Sequence, residues 1–366
     1  MKIMHILWGL GYGGIETMLV NIANGQSQSG ATVTIVIIND LYEDSLLTKF
    51  SPDVRIRLLH RKCHSKNFSF ILKLNNEIRQ SNPDIIHLHD SRIYSIILCP
   101  KFKLKTCTTL HALPTGKIRF KGMLTKVFPF FNILNSSGNV SCIDKIPHVF
   151  SISYAVQNAL YNNYKVSSIV VRNGIQTSYF KSRSLHVLSY PMRIVQIGRL
   201  SHENKGQDLL IEVVAEMRGQ VTLDLIGTGS SLDYLQKLTN KLGVASYVNF
   251  LGKQSQEYIA NHLRDYDIFV QPSRREGFGL TVAEAMVAGV PVLVSTGQGP
   301  EEVTCGELYG WTFENGNVRS LKEKIKYIKL HYAEAMNKAK YAQSYVINTY
   351  DISATVNNYM AEYKKF

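Results

Sequence analysis

The chain has 366 residues, of which 45% are hydrophobic and 19% charged, so we expect ordinary globular cores in two domains. The formal net charge of +13 favours anionic partners such as nucleotides, phospholipid surfaces or nucleic acid. No apolar run reaches the roughly 18–20 residues of a membrane span. The five scattered cysteines form no CxxC pair, which argues against a zinc ribbon and suits a reducing cytosol.

Short apolar runs alternate with helical patterns in the first half of the chain. The pattern predicts elements, in order, at Ile3–Trp8, Gly14–Gly25, Val33–Ile38, Phe68–Gln80, Ile85–Leu88 and Lys105–Leu110. Such alternation is typical of parallel sheets covered by helices.

A glycine-rich segment follows the first predicted strand. Gly9, Gly11 and Gly14 match the GxGxxG fingerprint of dinucleotide-binding proteins, and Asp40 ends the second strand, where it could hold a ribose. An NAD-dependent oxidoreductase is therefore one alternative. The motif alone is weak, because any loop that brings backbone close to a phosphate or sugar at a helix N-terminus uses such glycines.

The same alternation restarts in the second half of the chain. It predicts elements at Arg193–Ile197, Gly206–Met217, Thr222–Ile226, Leu232–Leu242, Asp267–Gln271, Thr281–Ala288 and Val290–Val294. We therefore expect an N-terminal Rossmann-like domain at 1–174 and a C-terminal one at 190–345. The helix at 346–366 is expected to pack back on the N-terminal domain.

Two carboxylates follow the strand predicted at Asp267–Gln271. Glu276 lies in the strand-to-helix loop, and Glu284 lies in the first turns of the helix. Open α/β sheets bind ligands at the carboxyl ends of their strands, and the N–H groups of Gly279 and Leu280 would offer an anion site there. Glu284 is suited to ribose hydroxyls and Glu276 to sugar hydroxyls. The alternative is a pair of ordinary exposed carboxylates.

Two cations follow the first strand of the second half. Arg199 and Lys205 precede a predicted helix, where they are well placed for a diphosphate. A diphosphate leaving group gains charge in the transition state, so fixed cations lower the barrier. The alternative is a pair of surface cations.

The second half of the chain resembles the retaining glycosyltransferases of family 4 (glycosyl transferases group 1) of the bacterial polysaccharide type. The resemblance is carried, in the family's order, by Arg199, Lys205, the Glu276-to-Glu284 spacing around Gly-Phe-Gly-Leu, and residues 288–292. The resemblance implies a GT-B fold, with two Rossmann-like parallel-sheet domains facing a central cleft. It implies catalytic roles for His111, Arg199, Lys205 and Glu276. Donor-binding roles are implied for Gly13, Gly14, Asn173, Gly227, Gly229, Phe278, Gly279, Leu280 and Glu284.

The resemblance also implies a reaction. A sugar would pass from a UDP- or GDP-sugar, with retention, to a lipid-linked glycan of a capsule, O-antigen or exopolysaccharide, with no metal and no cofactor. His87, His89 and Asp90 are interpreted as strand punctuation rather than a metal site. Gln176 and Thr228 depart from the family pattern, which leaves the base of the donor open, and Ala112 departs from it next to His111, which leaves the role of His111 open. A GT-B sugar-nucleotide epimerase and a basic scaffold protein are further alternatives.

A basic stretch lies between Asp90 and Asp144, where no acidic residue occurs. It comprises Arg92, Lys101, Lys103, Lys105, Lys117, Arg119, Lys121 and Lys126. It is either a solvated face or a surface that docks on anionic lipid. No nucleic-acid motif accompanies it. We therefore expect a cytoplasmic protein, and the second alternative would place it at the inner face of the plasma membrane.

Overall fold

The computed structural model describes residues 1–11, 13–63, 65, 67–115, 140–183 and 186–366. The chain forms two compact units. The first comprises Met1–Gly174 together with Ile352–Phe366, and the second comprises Ile175–Asp351.

The first unit contains a seven-stranded sheet with the order β3-β2-β1-β4-β5-β6-β7. Its neighbouring strands are parallel. The strands are β1 Lys2–Leu7, β2 Thr32–Asn39, β3 Arg55–Arg61, β4 Ile85–Leu88, β5 Thr106–Leu110, β6 His148–Ser151 and β7 Ile169–Val170. The described helices are Gly14–Gln28, Asp44–Leu47, Ser69–Ser81, Pro100–Leu104, Tyr154–Tyr164 and Ile352–Tyr363.

The C-terminal helix Ile352–Tyr363 packs inside the first unit. Val356 lies against Gly25, where an added Cβ would come within 2.7 Å of the valine. Tyr359 and Tyr363 are buried beside β4 and β5 and belong, with Val356, to the same apolar core as the first strands. The end of the chain therefore completes the core that the beginning of the chain starts.

The second unit contains a six-stranded sheet with the order β10-β9-β8-β11-β12-β13, again with parallel neighbours. Its strands are β8 Met192–Ile197, β9 Val221–Ile226, β10 Val248–Gly252, β11 Ile268–Gln271, β12 Val292–Ser295 and β13 Trp311–Phe313. The described helices are His202–Lys205, Gln207–Glu216, Leu232–Lys241, Gln256–His262, Leu280–Val287, Gly299–Val303, Val318–Leu330 and Tyr332–Tyr350.

Each sheet has one point at which its strand order reverses. In the first unit β4 returns to the far side of β1, and in the second β11 returns to the far side of β8. Connections leave the two central strands in opposite directions there, which opens a crevice outside their carboxyl ends. The loops after β1 and β4 and those after β8 and β11 are therefore the natural ligand positions.

The prediction of two α/β units with parallel sheets is confirmed, while several elements differ in extent or were missed. β3 was not predicted, because alternate residues of this edge strand are exposed and many of them are charged. β6, β7 and β13 are only two to four residues long and carry little periodicity. The strand predicted at Val290–Val294 begins at Val292, after Pro291, which has no N–H to donate.

Candidate functional site

Loops of the second unit meet backbone to backbone at the carboxyl edge of its sheet. Gly198 donates its N–H to Ile226 O (2.9 Å), and Leu200 donates its N–H to Thr228 O (2.9 Å). Gly227 has a left-handed φ of +140°, and a Cβ there would lie 2.0 Å from Gly198 O. A Cβ on Gly229 would lie 2.2 Å from Leu200 O. Both predicted glycines therefore fix the position of the loop that carries Arg199.

We expect Gly227→Ala to lower the free energy of unfolding by about 2–4 kcal/mol, because it adds a backbone clash to strain at positive φ. Gly316→Ala is the matched control: its φ is +78° and open space surrounds the new methyl, so strain alone should cost about 1 kcal/mol. Urea unfolding of both variants measures the difference. Equal losses would show that the close approach is not a constraint.

Lys205 and Glu276 form an ion pair across the reversal point of the second sheet. Lys205 Nζ donates to Glu276 Oε2, and the two side chains remain 24% and 17% exposed. Glu276 is also held by its own backbone, whose N–H donates to Gln298 Oε1 (2.9 Å). A partly exposed ammonium thus lies beside a partly exposed carboxylate. The first suits a phosphate, and the second accepts hydrogen bonds from hydroxyls.

Arg274 holds the segment that carries Lys205, a role that the sequence did not reveal. Its guanidinium makes two 2.8 Å hydrogen bonds to the Asp208 carboxylate and one of 2.7 Å to His202 O. Such bidentate pairs fix geometry as well as charge. The signal is absent from the sequence because Asp208 lies 66 residues from Arg274.

Arg199 lies on the loop after β8, before the short helix that ends with Lys205. Its backbone oxygen accepts a hydrogen bond from Gln207 Nε2 (3.0 Å), while its side chain is exposed. Within the described ranges, no carboxylate forms an ion pair with it. It is therefore a second accessible cation at this edge.

Glu284 lies in the helix Leu280–Val287 and is 8% exposed. Gln256 Nε2 donates to its Oε1 (2.9 Å), a partner that sequence reasoning missed. Burial raises the pKa of the Glu284 carboxyl to about 7. Gly279 caps the helix with φ +101°. The carboxylate is thus desolvated and held, and hydrogen-bond donors from a ligand would favour its ionised form.

Phe278 and Leu280, the two neighbours of Gly279, differ in what they offer a ligand. The Phe278 ring is 3% exposed and packs edge-on against Tyr350, with ring centroids 5.6 Å apart. Only its backbone is left for a ligand. Leu280 begins the helix, and the N–H groups of a first turn have no intrahelical acceptor.

In the first unit, Gly13 and Gly14 begin the helix Gly14–Gln28. Gly13 is its N-cap, with extended backbone and no side-chain cap. A Cβ on Gly9 would lie 2.7 Å from Leu41 O, so the first glycine of the fingerprint serves packing. The Asp40 carboxylate accepts the N–H of Cys63 (3.1 Å). Asn173, one residue before the first segment of this unit ends, is 4% exposed, and its Oδ1 has no partner among the described residues.

His111 follows β5 and joins a group of histidines, of which His5 and His87 are buried and His89 and His111 are half-buried. His89 Nδ1 lies 2.9 Å from His111 Nε2, and His89 Nε2 lies 3.0 Å from His5 Nδ1. The sequence had grouped His87 and His89 with Asp90, but the structure brings in His5 instead, while Asp90 pairs with Arg92. Parallel pairing of β1 and β4, which places His5 opposite His87, causes the difference.

A cavity of about 150 Å³ lies at this edge of the first sheet. Its lining includes Ile15, His89, Asp90, Thr109 and His111. It therefore occupies the carboxyl ends of β4 and β5, beside the start of the glycine-capped helix.

Burial holds the histidine group neutral. It lowers the pKa of His5 and of His111 to about 4, and it lowers the pKa of His87 and His89 well below the usual value. Between pH 6.5 and about 4 the unfolded chain therefore binds more protons than the folded chain at these sites. Stability is full above this window and falls as the pH drops through it.

We expect the free energy of unfolding to fall by about 1.4 kcal/mol per pH unit for each shifted histidine in that window. Glu284 offsets the contribution of one histidine, because its raised pKa makes the folded state bind a proton between pH 7 and 4.5 that the unfolded state does not bind. Urea unfolding at pH 7.5, 6 and 5 measures the slope. His111→Gln should make it shallower, whereas the exposed-site control His262→Gln should not. A stability that does not change with pH would contradict the buried neutral cluster.

Some basic side chains in the described part of the basic stretch already have partners within the protein. Arg92 is paired with Asp90, and the Lys103 ammonium lies 5.3 Å from the centre of the Tyr94 ring. Lys117, Arg119, Lys121 and Lys126 lie outside the described residues. Among the helices that the structure describes, none has the length and hydropathy of a membrane span.

Two family models match successive parts of the chain. Residues 12–179 match the model described as Glycosyltransferase Family 4, and residues 184–345 match Glycosyl transferases group 1. The chain is a GT-B glycosyltransferase of family 4. This membership selects a glycosyltransferase over the oxidoreductase and scaffold alternatives.

Relatives of this glycosyltransferase span most of its length. An uncharacterised glycosyltransferase of Methanocaldococcus jannaschii is 25% identical over 73% of this chain and 74% of its own. The lipopolysaccharide core biosynthesis glycosyltransferase LpsE of Rhizobium meliloti is 26% identical over 82% and 81%. The structure of Anabaena Alr3699/HepE in complex with UDP and glucose has a TM-score of 0.78 at 20% identity, over 99% of this chain and 98% of that one. This likeness shows the fold.

Proposed function

We propose that this glycosyltransferase transfers a sugar, with retention of the anomeric configuration, from a UDP- or GDP-sugar to a hydroxyl of a lipid-linked glycan. The acceptor would belong to capsule, O-antigen or exopolysaccharide synthesis. The observation that carries the proposal is the Lys205–Glu276 pair at the reversal point of the second sheet, on the carboxyl edge whose β8 loop also carries Arg199. Residues 190–345 would bind the nucleotide sugar, and residues 1–174 would serve the acceptor side.

The donor would lie along the carboxyl edge of the second sheet. Its ribose would donate hydroxyl hydrogen bonds to Glu284, and its sugar hydroxyls would donate to Glu276. Arg199, Lys205 and the N–H groups at Gly279 and Leu280 would bind the diphosphate. Phe278 would contribute backbone alone, and Gly227 and Gly229 would hold the loop beside the base.

The leaving diphosphate gains negative charge as the glycosidic bond breaks, and the two cations stabilise that charge. The acceptor hydroxyl oxygen forms the new bond to the anomeric carbon on the same face, and the departing phosphate oxygen accepts the proton of that hydroxyl. No protein nucleophile, metal or cofactor takes part in this scheme. For His111, Gly13, Gly14 and Asn173 we retain the roles that the family resemblance implies.

Three observations support this assignment. Alr3699/HepE, a protein of the same fold, was solved with UDP and glucose, and the Rhizobium meliloti relative acts in lipopolysaccharide core biosynthesis. The net charge of +13 favours both a diphosphate and an anionic lipid carrier. Peripheral contact with the cytoplasmic membrane face would bring the enzyme to such an acceptor.

The test is a transfer assay with a panel of UDP- and GDP-sugars and a prenyl-diphosphate-linked monosaccharide, in the presence of EDTA. Proton NMR of the product reads the coupling of the new anomeric proton. One α-linked donor should give an α-linked product at an EDTA-independent rate. An inverted product would contradict retention, and loss of transfer in EDTA would contradict metal independence.

A further inference from the structure

The buried carboxylate of Glu284 is held on one side by a side-chain amide. Gln256 Nε2 donates a hydrogen bond to Glu284 Oε1 (2.9 Å). Glu284 Oε2 accepts no hydrogen bond from the described residues, yet this atom is not fully buried, so the 8% of the residue that stays exposed includes Oε2. One carboxylate oxygen is therefore occupied by the protein, and the other is left for a ligand.

Gln256 reaches this carboxylate from the start of a short helix. It is half-buried and is the first residue of the helix Gln256–His262. Ser255 Oγ accepts the N–H of Tyr258 (3.0 Å), which fixes the first turn of that helix and thus the direction from which the Gln256 side chain arrives. Gln256 and Glu284 both belong to the second unit, so their contact needs nothing from the first unit.

Two opposing effects determine the pKa of Glu284. Burial raises it and the hydrogen bond from Gln256 lowers it, which leaves the pKa at about 7. An N–H group donates more strongly to a carboxylate than to a neutral carboxyl group, so the amide favours the ionised form. Removing the amide should therefore leave Glu284 protonated over a wider range of pH.

The charged side chains around Glu284 do not take part in this balance. The strands β11 and β12, which pack against its helix, carry no titratable residue. The two other helices packed against it carry Glu301, Glu302, Glu334, Lys338 and Lys340. On the helix that Gln256 begins, Glu257 and His262 are exposed. Among the described residues, none of these groups shifts the pKa of Glu284, so the Gln256 amide is the group to change.

We propose that Gln256 is a positioning residue for donor binding: its amide holds Glu284 Oε1, so that Glu284 Oε2 accepts a hydrogen bond from a ribose hydroxyl. The inference rests on the proposed function for the identity of the ligand, a nucleoside diphosphate, but not for the action of Gln256 on Glu284. Gln256 touches no reacting atom. Its substitution should therefore change nucleotide affinity and the pH dependence of that affinity more than kcat.

Two substitutions of Gln256 should move the pH midpoint of nucleotide binding in opposite directions. Gln256→Met keeps the side-chain length but removes the donor, so the midpoint should rise by roughly one pH unit, and UDP or GDP should bind about fivefold more weakly at pH 7 but almost normally at pH 9. Gln256→Lys places a cation beside the carboxylate, so the midpoint should fall and binding at pH 6 should tighten about fivefold. Glu257→Gln adds the same single positive charge to the same helix and should leave the midpoint unchanged.

Titration calorimetry with the ribonucleotide and with its 2′,3′-dideoxy form measures these affinities. The two forms carry the same diphosphate, whose own titration at about pH 6 therefore cancels in the ratio of their affinities. This ratio should follow the ionisation of Glu284 in each variant. A ratio that does not change with pH would overturn the ribose contact. Midpoint shifts of the same sign in Gln256→Met and Gln256→Lys would reduce Gln256 to a structural role.

A measurement without ligand separates this inference from the proposed function. Carbon-13 NMR of the Glu284 carboxyl, assigned with Glu284→Gln, follows its titration in the unliganded protein. We expect the pKa of Glu284 to be higher in Gln256→Met and lower in Gln256→Lys than in the wild type. An unchanged pKa in both variants would overturn the role of Gln256. A pKa that moves as expected, with no binding of UDP or GDP to any of the proteins, would contradict the proposed function and the ligand named here. If Gln256→Met does not fold, Gln256→Lys decides.

Discussion

Glu284→Gln is expected to weaken binding of the cognate nucleoside diphosphate about ten- to hundredfold at pH 8. Hydrogen bonds to a charged acceptor contribute roughly 1.5–3 kcal/mol, and the substitution removes the charge while keeping the shape. Gln256 already donates to Oε1, so the remaining acceptor positions are those that a ribose would use. Titration calorimetry measures the loss.

The pH dependence gives this prediction its sharpest form. Burial raises the pKa of Glu284 to about 7, so the carboxyl is largely protonated at pH 6 and ionised at pH 8. Ribose hydroxyls donate to the ionised form, hence binding should tighten as the pH rises through 7 and should release a proton below it. Glu284→Gln should lose this part of the pH dependence. Glu257→Gln, on the exposed side of the neighbouring helix, is the control. Wild-type affinity and pH profile in Glu284→Gln would contradict the ribose role.

Lys205→Met is expected to lower kcat about ten- to hundredfold with a smaller effect on donor affinity. The ammonium stabilises charge that develops on the leaving diphosphate, so its contribution is largest in the transition state. Steady-state kinetics with the cognate donor measure the effect. Lys237→Met, an exposed lysine on the helix Leu232–Lys241, should retain wild-type rates.

The partner of Lys205 provides a second check. Because Lys205 and Glu276 are hydrogen-bonded, the double variant Lys205→Met/Glu276→Gln should lose less activity than the product of the two single losses. Full multiplicativity would mean that the two side chains act independently. A lower stability with an unchanged kcat in Lys205→Met would reduce the lysine to a structural role.

The sequence was sufficient for the architecture because architecture follows local patterns. Buried strands such as β8 and amphipathic helices such as Ser69–Ser81 can be predicted from their apolar composition and from the period of their apolar residues. The loop and helix with Glu276 and Glu284 were predicted for the same reason. Short or exposed strands such as β3 and β13 lack that signal.

The supporting contacts could not be predicted, because their partners are distant in sequence. Arg274 reaches Asp208 across 66 residues, and Gln256 reaches Glu284 across 28. The grouping of His5 with His87 depends on the register of β1 on β4. The contact between His87 and Tyr363 depends on the C-terminal helix packing against the first unit. Strand register and the packing of the C-terminal helix are tertiary features that no local residue spacing predicts.

The central claim is that a nucleoside diphosphate binds at the carboxyl edge of the second sheet. Amide hydrogen exchange with mass spectrometry, with and without saturating UDP or GDP, tests it most directly. We predict slower exchange in peptides covering residues 198–206, 227–232 and 273–287. Protection confined to residues 9–16, with none in those three segments, would contradict the claim and return the site to the first glycine-rich loop.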